Sequence, residues 1–394
     1  MRFIVIALSL FCLFQSAAFA QIEEVFEKVD EDKDGRVTKA ELEAAGRRSG
    51  WISLADTDGD SAVTITEADA FFRKRAENVP EPGAKSDIIV GEFSDASHVT
   101  EAGCRSAAIY SAQSNGYSFL VKERGKVVFE RYDQKWKPET PHRLASGTKS
   151  FSGAILAAAR KDELLTLDEP VSVTITEWNS EENLGAVTIR QLLSLTSGIP
   201  GGKIGAIPSY REAIPAESAH PPGKKFSYGP RPYQIFGELM RRKLVAREDL
   251  DFADPLAYLE ARVFDPIGMS YATWRRDDDR MPHLPSGASL TAREWAKFGQ
   301  LLLQSGEWNG EQLLDPEMLA ECVKGSEANP KYGITFWLID SKGNPNLEGA
   351  YKAAGAGKQI LYILPAVDIV VVRQGESKKF DDHVLLGKFL ENPQ

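Results

Sequence analysis

Apolar positions along the chain fall into three stretches with different spacing. Residues 3–14 are almost uniformly apolar. From residue 22 to about residue 75, apolar side chains recur every three or four positions between acidic runs, which predicts short amphipathic helices. From residue 101 onward, helical spacing alternates with short apolar runs, so a domain containing both helices and strands is predicted.

The third stretch predicts an antiparallel sheet that contains both of its ends. Strands are predicted at 117–121 and 126–132, and a second hairpin at 359–364 and 369–373. Helices are predicted at 101–113, 150–164, 188–195, 231–243, 291–304 and 380–390. This order favours an α+β fold, with an antiparallel sheet flanked by helices plus an inserted helical region, preceded by a small all-α module.

The first stretch has the layout of a cleaved export signal. Arg2 supplies a positive charge, the apolar core is too short to span a bilayer, and Ala18-Phe19-Ala20 offers a cleavage site. We therefore expect a secreted or periplasmic protein that starts near Gln21. Since no other run approaches eighteen apolar residues, no transmembrane segment is expected.

The net charge limits the partners that we expect, and the cysteine content limits the possible disulfides. The formal net charge of −10 argues against nucleic acid and anionic membrane surfaces as partners. Beyond the predicted signal two cysteines remain, Cys104 and Cys322, which either form a disulfide or are two unrelated buried thiols. The sequence leaves both readings open.

The second stretch contains a twelve-residue pattern typical of a calcium-binding loop between two helices. Gly35 takes the sharp turn at its sixth position. The predicted ligands are Asp30, Asp32, Asp34, Arg36 through its backbone carbonyl, Thr38 and Glu41. Calcium is a hard cation that takes about six to eight oxygen ligands, and carboxylates this close together would repel one another without it.

A second loop of the same length follows. Its predicted ligands are Asp56, Asp58, Asp60, Ala62, Thr64 and Glu67. Val37 and Val63 hold the eighth position of each loop, where paired loops usually join by a short strand contact. Ser61 replaces glycine at the sixth position, where left-handed backbone is unfavourable by about 1–2 kcal/mol, so weaker binding is expected. The two loops resemble an EF-hand pair; the alternative is an acidic solvated surface without an ion.

A segment with two prolines, a glycine and mixed charge follows the pair. Such composition is typical of a linker. We therefore divide the chain into a signal peptide at 1–20, an EF-hand pair at 21–77, a linker at 78–98 and a large domain at 99–394.

The candidate chemistry of the large domain lies in Ser146-Gly147-Thr148-Lys149. If Ser146 opens a helix, Lys149 lies one turn later on the same face. A serine hydroxyl is a poor nucleophile at neutral pH and needs a nearby base, and a partly desolvated lysine can serve because its pKa falls. A four-residue pattern is weak by itself, since it arises easily by chance.

Longer segments give this pattern its context. They lie, in order, at 144–153, 161–171, 188–199, 222–228, 265–269 and 289–299. Together they resemble the β-lactamase-related serine hydrolases, the group of class C β-lactamases, esterases and 6-aminohexanoate-dimer hydrolases, over about residues 101–390. The resemblance implies that Ser146 is an acylated nucleophile and Lys149 its partner.

The resemblance also implies roles for two further residues. Tyr228 matches the tyrosine of the family's Tyr-x-Asn element and, as phenolate or hydrogen-bond relay, would pass the serine proton to the leaving group. The backbone N–H groups of Ser146 and Ala356 would form an oxyanion hole.

Two positions depart from the family pattern. Pro230 replaces the asparagine of the Tyr-x-Asn element, and the third motif reads Ala353-Ala354-Gly355 without its cation, with Lys352 one residue out of place. β-Lactam hydrolysis and peptidoglycan D,D-peptidase activity both use that cation to hold a carboxylate, so both are in doubt.

Three functions therefore remain open. The leading one is an esterase or amidase that acts on a small-molecule substrate through acyl-Ser146. The second is a β-lactamase or D,D-peptidase, favoured if Lys352 reaches the cleft. The third is a catalytically inactive binding protein, which the two departures would favour. Trp337, in a late strand, is a further candidate for the cleft.

Overall fold

The structure, a computed structural model, describes residues 26–45, 52–58, 60–76, 86–133 and 135–390. The predicted export signal and the first part of the predicted linker lie outside these residues. The chain divides into two compact units, Met1–Gly83 and Ala84–Gln394. Within the described ranges, no helix is both long enough and apolar enough to cross a membrane.

In the first unit, two short strands join two acidic loops. β1 (Arg36–Thr38) pairs antiparallel with β2 (Ala62–Thr64), and Val37 lies opposite Val63, which agrees with their predicted positions. The helices are α1 (Lys39–Ala44), α2 (Ile52–Ala55) and α3 (Ile65–Ala76). Both valines are fully buried and belong to one small apolar core, so the strand contact fixes the two loops side by side.

The second unit contains two sheets that position the candidate site. Its strands are β3 (Ser86–Val90), β4 (Gly116–Glu123), β5 (Lys126–Asp133), β6 (His142–Arg143), β7 (Thr273–Trp274), β8 (Ala288–Leu290), β9 (Glu307–Trp308), β10 (Glu311–Gln312), β11 (Trp337–Leu338), β12 (Tyr351–Gly355), β13 (Gln359–Leu364) and β14 (Ile369–Gly375). Over the described residues, seven of them form an antiparallel sheet in the order β11-β12-β13-β14-β4-β5-β3. A smaller sheet has the order β6-β8-β7.

Helices cover both faces of the larger sheet. They are α4 (Glu101–Gln113), α5 (Ser150–Lys161), α6 (Glu182–Gly185), α7 (Ile189–Leu193), α8 (Tyr210–Ala213), α9 (Arg231–Val245), α10 (Pro255–Leu259), α11 (Ala292–Leu303), α12 (Pro316–Cys322) and α13 (Asp382–Leu386). β14 pairs with β4, so the hairpins predicted at the two ends of the domain share one sheet. The predicted α+β class, with an antiparallel sheet, flanking helices and an inserted helical region, is confirmed.

Alternating side chains divide the larger sheet between two cores. In β13, Leu361 and Ile363 pack into the core that contains α5 and α11. Tyr362 and Leu364 point the other way, into the core that contains α4 and α13. The alternation follows from the period of two in a strand, and it separates an inner face, which carries the candidate site, from an outer face.

One boundary of the sequence prediction is wrong. Ser86–Val90, assigned to the linker, form β3 at the edge of the sheet and pair antiparallel with β5. The strand was hard to recognise because it is an edge strand: Ile88 packs on the core, whereas Ile89 and Val90 are 41% and 39% exposed. Its short apolar run therefore follows the proline-rich segment without a clear alternating pattern.

The two cysteines are separate buried thiols. Cys104 in α4 and Cys322 in α12 are both fully buried and unpaired. They belong to the outer and inner cores respectively, so the sheet lies between them. Burial raises the pKa of each thiol to about 12, which keeps both protonated.

Candidate active site

Ser146 lies on a tight turn between β6 and α5. Residues Ala145–Lys149 form a 3₁₀ helix that runs directly into α5. Ala145 has a positive φ of 48°, an unfavourable conformation for a residue with a side chain. A 3₁₀ helix has three residues per turn, so Lys149 is placed directly over Ser146. The prediction that the two side chains share one face is confirmed, although the first turn is 3₁₀ rather than α.

The Lys149 amine is held next to the serine hydroxyl. Its Nζ lies 3.3 Å from Ser146 Oγ and donates to the carbonyl of Pro285 at 3.1 Å. The residue is only 3% exposed, and burial lowers the pKa of its amine to about 7. At neutral pH roughly half of the amine is therefore uncharged and able to accept a proton.

Tyr228 completes this group of side chains. The Lys149 Nζ lies 5.1 Å from the centre of the Tyr228 ring, and the Tyr228 phenol interacts with the Ser146 hydroxyl. Burial raises the pKa of the phenol, and the contact with Ser146 only partly offsets this. Of the two roles predicted for Tyr228, the protonated hydrogen-bond relay fits this environment and the phenolate does not.

The end of β12 lies against the turn that carries Ser146. A Cβ atom placed on Gly355 would be 2.0 Å from the carbonyl oxygen of Leu144 and 3.0 Å from the backbone nitrogen of Gly147. Only glycine permits so close an approach. Ala356 follows immediately and is exposed, so the proposed second oxyanion donor belongs to the segment that borders Ser146. Its role as a donor stays a prediction.

Lys352 does not reach the site. It lies opposite Tyr362 in the register of β12 and β13, so it shares the outer face of the sheet. There it forms an ion pair with Asp382 of α13, which also accepts a hydrogen bond of 2.6 Å from the Tyr362 hydroxyl. Lys352, whose presence in the cleft would have favoured a β-lactamase or D,D-peptidase, thus lies on the opposite side of the sheet.

An aromatic wall, formed by Phe226, Tyr332 and Trp337, packs against Tyr228. The ring centres of Tyr228 and Trp337 are 5.7 Å apart, and those of Tyr332 and Trp337 are 4.8 Å apart. Phe226 lies 5.4 Å from Tyr332. Sequence reasoning singled out Trp337 alone; Tyr332 and Pro285 gave no signal because they reach the site from loops far away in the chain.

A large crevice elsewhere in the second unit does not include the candidate catalytic residues. Its volume is about 1200 Å³, and it is lined by residues within 177–184, 210–218 and 238–242, with Asp279 and Met281. Arg242 on its wall is paired with Glu177 and Glu238. Because none of Ser146, Lys149 and Tyr228 lines it, the candidate site is identified by chemistry rather than by cavity size.

The first acidic loop brings three of its predicted calcium ligands together. Carboxylate oxygens of Asp30, Asp32 and Glu41 lie within 4.8 Å of one another. Gly35 has a φ of +82°, and its N–H donates to Asp30 at 2.9 Å. The other oxygen of Asp30 is buried and has no hydrogen-bond partner among the described residues, as expected of a metal ligand. These donors fit the oxygen ligands that Ca²⁺ requires.

The second loop has a similar arrangement. Carboxylate oxygens of Asp56, Asp58 and Glu67 also lie within 4.8 Å of one another. Ser61 adopts the left-handed conformation, with a φ of +69°, that was expected to weaken this site. Asp60, a predicted ligand of the second site, forms an ion pair with the side chain of Arg36 from the first loop. The Asp60 carboxylate is therefore already paired with a cation.

Comparisons with known proteins agree with this architecture. The β-lactamase family model matches residues 91–383. Among curated proteins, the protein flp of Staphylococcus aureus strain MRSA252 is 25% identical over 265 residues, covering 59% of this chain and 50% of flp. The flp of strain MW2 is 26% identical over 268 residues, covering 59% and 52%. The chain thus spans about half the length of the curated relatives it matches.

Solved structures share the fold. A candidate 6-aminohexanoate-dimer hydrolase from Bacillus anthracis has a TM-score of 0.61 and 20% identity, covering 77% of this chain and 89% of its own. A penicillin-binding protein homologue from Caulobacter crescentus has a TM-score of 0.57 and 17% identity, covering 74% and 94%. EstCE1, a hydrolase with promiscuous acyltransferase activity, has a TM-score of 0.58 and 16% identity, covering 73% and 95%. By the match of the family model over most of its length, this chain belongs to the β-lactamase family.

Proposed function

We propose that the protein is a secreted, calcium-binding serine hydrolase that cleaves small esters or amides through an acyl-Ser146 intermediate. The observation that carries the proposal is the 3.3 Å contact between the Lys149 amine and the Ser146 hydroxyl. Burial keeps much of this amine neutral at pH 7. A nucleophile and a competent base in contact are the minimum for acyl transfer.

The proposed reaction has two halves. In the first, Lys149 takes the proton of Ser146 while Oγ bonds to the substrate carbonyl carbon. The N–H groups of Ser146 and Ala356 are proposed to hold the oxyanion. The tetrahedral intermediate then expels an alcohol or amine, which receives the proton from Lys149 through the Tyr228 hydroxyl. In the second half, a water molecule gives up a proton to Lys149 by the same route and attacks the acyl carbon. The tetrahedral intermediate then expels Ser146 Oγ, which takes that proton back from Lys149, so that a carboxylic acid and free Ser146 are released.

The position of Lys352 favours an esterase or amidase over a β-lactamase or D,D-peptidase. The latter two use a cation of the third motif to hold the substrate carboxylate. Here the residues of this motif that face inward are Ala353 and Gly355, and Lys352 is paired with Asp382 on the outer face. The aromatic wall next to Tyr228 is likewise suited to an uncharged acyl group.

Chemical labelling tests the nucleophile. We expect a fluorophosphonate probe to label the calcium-replete protein and p-nitrophenyl butyrate to be hydrolysed, with both signals lost in Ser146→Ala. Ser152→Ala is the matched control, because the hydroxyl of Ser152 lies further along α5, is buried and has no partner among the described residues. Absence of labelling and turnover in the unmodified protein would instead favour the inactive binding protein.

A pair of esters tests the substrate class. p-Nitrophenyl butyrate and p-nitrophenyl hemisuccinate differ mainly in a terminal carboxylate. We expect the uncharged butyrate to have the higher kcat/KM and nitrocefin to be hydrolysed poorly. A preference for the hemisuccinate, together with rapid nitrocefin turnover, would support the β-lactamase alternative.

Calcium binding and export are parts of the same proposal. The convergence of Asp30, Asp32 and Glu41, and the unpartnered buried oxygen of Asp30, support a Ca²⁺ site in the first loop. Calorimetry of the full chain with CaCl₂ is expected to show binding that Glu41→Gln weakens and Glu43→Gln leaves unchanged. Edman sequencing of protein exported by a bacterial host is expected to begin at Gln21.

A further inference from the structure

The environment of the Lys149 amine contains a feature that its role as a base does not explain. The Nζ is placed between two aromatic faces, 5.1 Å from the centre of Tyr228 and 5.2 Å from the centre of Tyr233. The Pro285 carbonyl accepts its hydrogen bond at 3.1 Å. Two ring faces and a carbonyl oxygen all present negative electrostatic potential to one point.

The Tyr233 ring is held rigidly in this position. The residue is fully buried in α9, and its hydroxyl forms a 2.7 Å hydrogen bond with the hydroxyl of Tyr332. The same hydroxyl donates to the carbonyl of Leu193 at 3.3 Å. Three elements distant in sequence therefore fix the ring, which cannot turn away from the amine without breaking these bonds.

This arrangement matters most after proton transfer. The amine is partly neutral before the reaction, and it becomes an ammonium when it takes the Ser146 proton. No charged side chain contributes to the pKa shift of Lys149; burial alone lowers it. Among the described residues, the groups that face the amine are Ser146, Tyr228, Tyr233 and the Pro285 carbonyl, so ring faces and neutral dipoles stabilise the new charge.

We propose that Tyr233 is a positioning residue whose ring face holds the Lys149 amine over Ser146 and stabilises the ammonium formed during acylation. This inference rests on the proposed function of Ser146 and Lys149. Because the interaction strengthens as charge develops, its loss lowers kcat more than it changes KM.

A fluorination series at position 233 tests the ring face without changing its size. Tyr233→Phe keeps the ring and removes the hydroxyl; di- and trifluorophenylalanine at the same position progressively weaken the negative potential of the ring face. A cation–π contact favours the ammonium, so its loss is expected to lower the pKa of Lys149 by on the order of 0.5–1 unit across the series. The kcat for p-nitrophenyl butyrate is expected to fall several-fold in parallel.

Two readouts separate this inference from the proposed function. The pKa of Lys149 is measured directly by NMR titration of protein labelled with ¹³C in lysine, with the Lys149 signal assigned from Lys149→Met. If the pKa falls with fluorination, the ring contact is supported even where esterase activity is absent. A pKa that stays constant or rises across the series would overturn the inference, even if kcat fell. Tyr332→Phe, which removes the hydrogen bond to the Tyr233 hydroxyl but keeps the Tyr233 ring itself, is the control for loss of this hydrogen bond alone.

Discussion

At the scale of single residues, the burial of Lys149 determines the protonation state of its amine before a substrate binds. The amine has a pKa near 7 because it is desolvated, whereas the Tyr228 phenol is kept protonated because burial raises its pKa. Both shifts disfavour the charged form. Both states fit the proposed reaction, in which the lysine is the base of the first step and the tyrosine afterwards passes a proton.

The pH profile is the first prediction at this scale. Since the neutral amine is the active form, log kcat/KM is expected to rise with unit slope below pH 7 and to level off above it. Lys149→Met is expected to reduce kcat by about 10²–10⁴-fold, whereas Lys161→Met, at the exposed end of α5, should leave it unchanged. A rate that rose up to pH 10 would point to Tyr228 phenolate as the base instead.

A second residue-scale prediction concerns Ser61. Its left-handed backbone is unfavourable for any residue but glycine. Ser61→Gly is expected to tighten calcium binding at the second loop by about 5- to 30-fold, given a strain of about 1–2 kcal/mol. The reciprocal Gly35→Ser is expected to weaken the first site. Calorimetric titration with CaCl₂ measures the calcium affinity of both variants. Equal affinities before and after Ser61→Gly would argue against backbone strain as the cause of weaker binding at the second loop.

At the scale of elements, hydrophobic spacing predicted most strands of the larger sheet, but it did not predict the edge strand β3 or the tertiary contacts around Lys149. The helix at Glu101–Gln113 and the two terminal hairpins were recognisable from hydrophobic spacing. β3 was missed because its apolar residues, Ile88 to Val90, are consecutive rather than alternating and follow a proline-rich segment. Ser146, Lys149 and Tyr228 were recognisable from motifs. Tyr233 and Pro285 contact the lysine, and Tyr332 contacts Tyr233, only through tertiary packing, which leaves no regular spacing in the sequence.

The approach of β12 to the nucleophile turn gives an element-scale prediction. A methyl group at residue 355 would overlap the Leu144 carbonyl at 2.0 Å, so Gly355→Ala must displace the turn that orients Ser146. A displacement of about 1 Å is enough to reduce acyl transfer about 10²-fold. Fluorophosphonate labelling rates measure this, with Ala354→Ser on the same strand as control. Full labelling of Gly355→Ala would mean that the turn tolerates the shift.

At the scale of the whole second unit, the larger sheet separates the candidate active site on its inner face from a buried ion pair on its outer face. The Lys352–Asp382 pair lies on the outer face and is largely buried, with side-chain exposures of 15% and 22%. Burial works against ionisation of Asp382, but Lys352 and the Tyr362 hydroxyl outweigh it, so the pKa of this carboxyl is held below its usual value. Its stabilising contribution is therefore present above about pH 4 and is lost as the pH falls further.

The corresponding prediction separates stability from activity. Lys352→Met leaves Asp382 partly buried without its cation, so unfolding free energy at pH 7 is expected to fall by about 1–3 kcal/mol. The kcat of the folded fraction should not change. Lys352→Met with Asp382→Asn should recover part of the loss. Urea denaturation and esterase assays distinguish these effects, and a selective loss of kcat in Lys352→Met would place the lysine in the reaction after all.

The pairing of β14 with β4 also bears on whether the segments of the second unit can be connected in a different order along the chain. α4 and α13 pack together behind the sheet, where a Cβ on Gly103 would come within 3.0 Å of the backbone of Phe389. The helix that precedes β4 and the segment that follows β14 thus lie side by side, on the outer face of the sheet. A circularly permuted second unit, with residue 390 joined through a flexible linker to Ser86 and new ends opened at the exposed Asn309-Gly310 tip between β9 and β10, is therefore expected to keep the contact between Lys149 and Ser146.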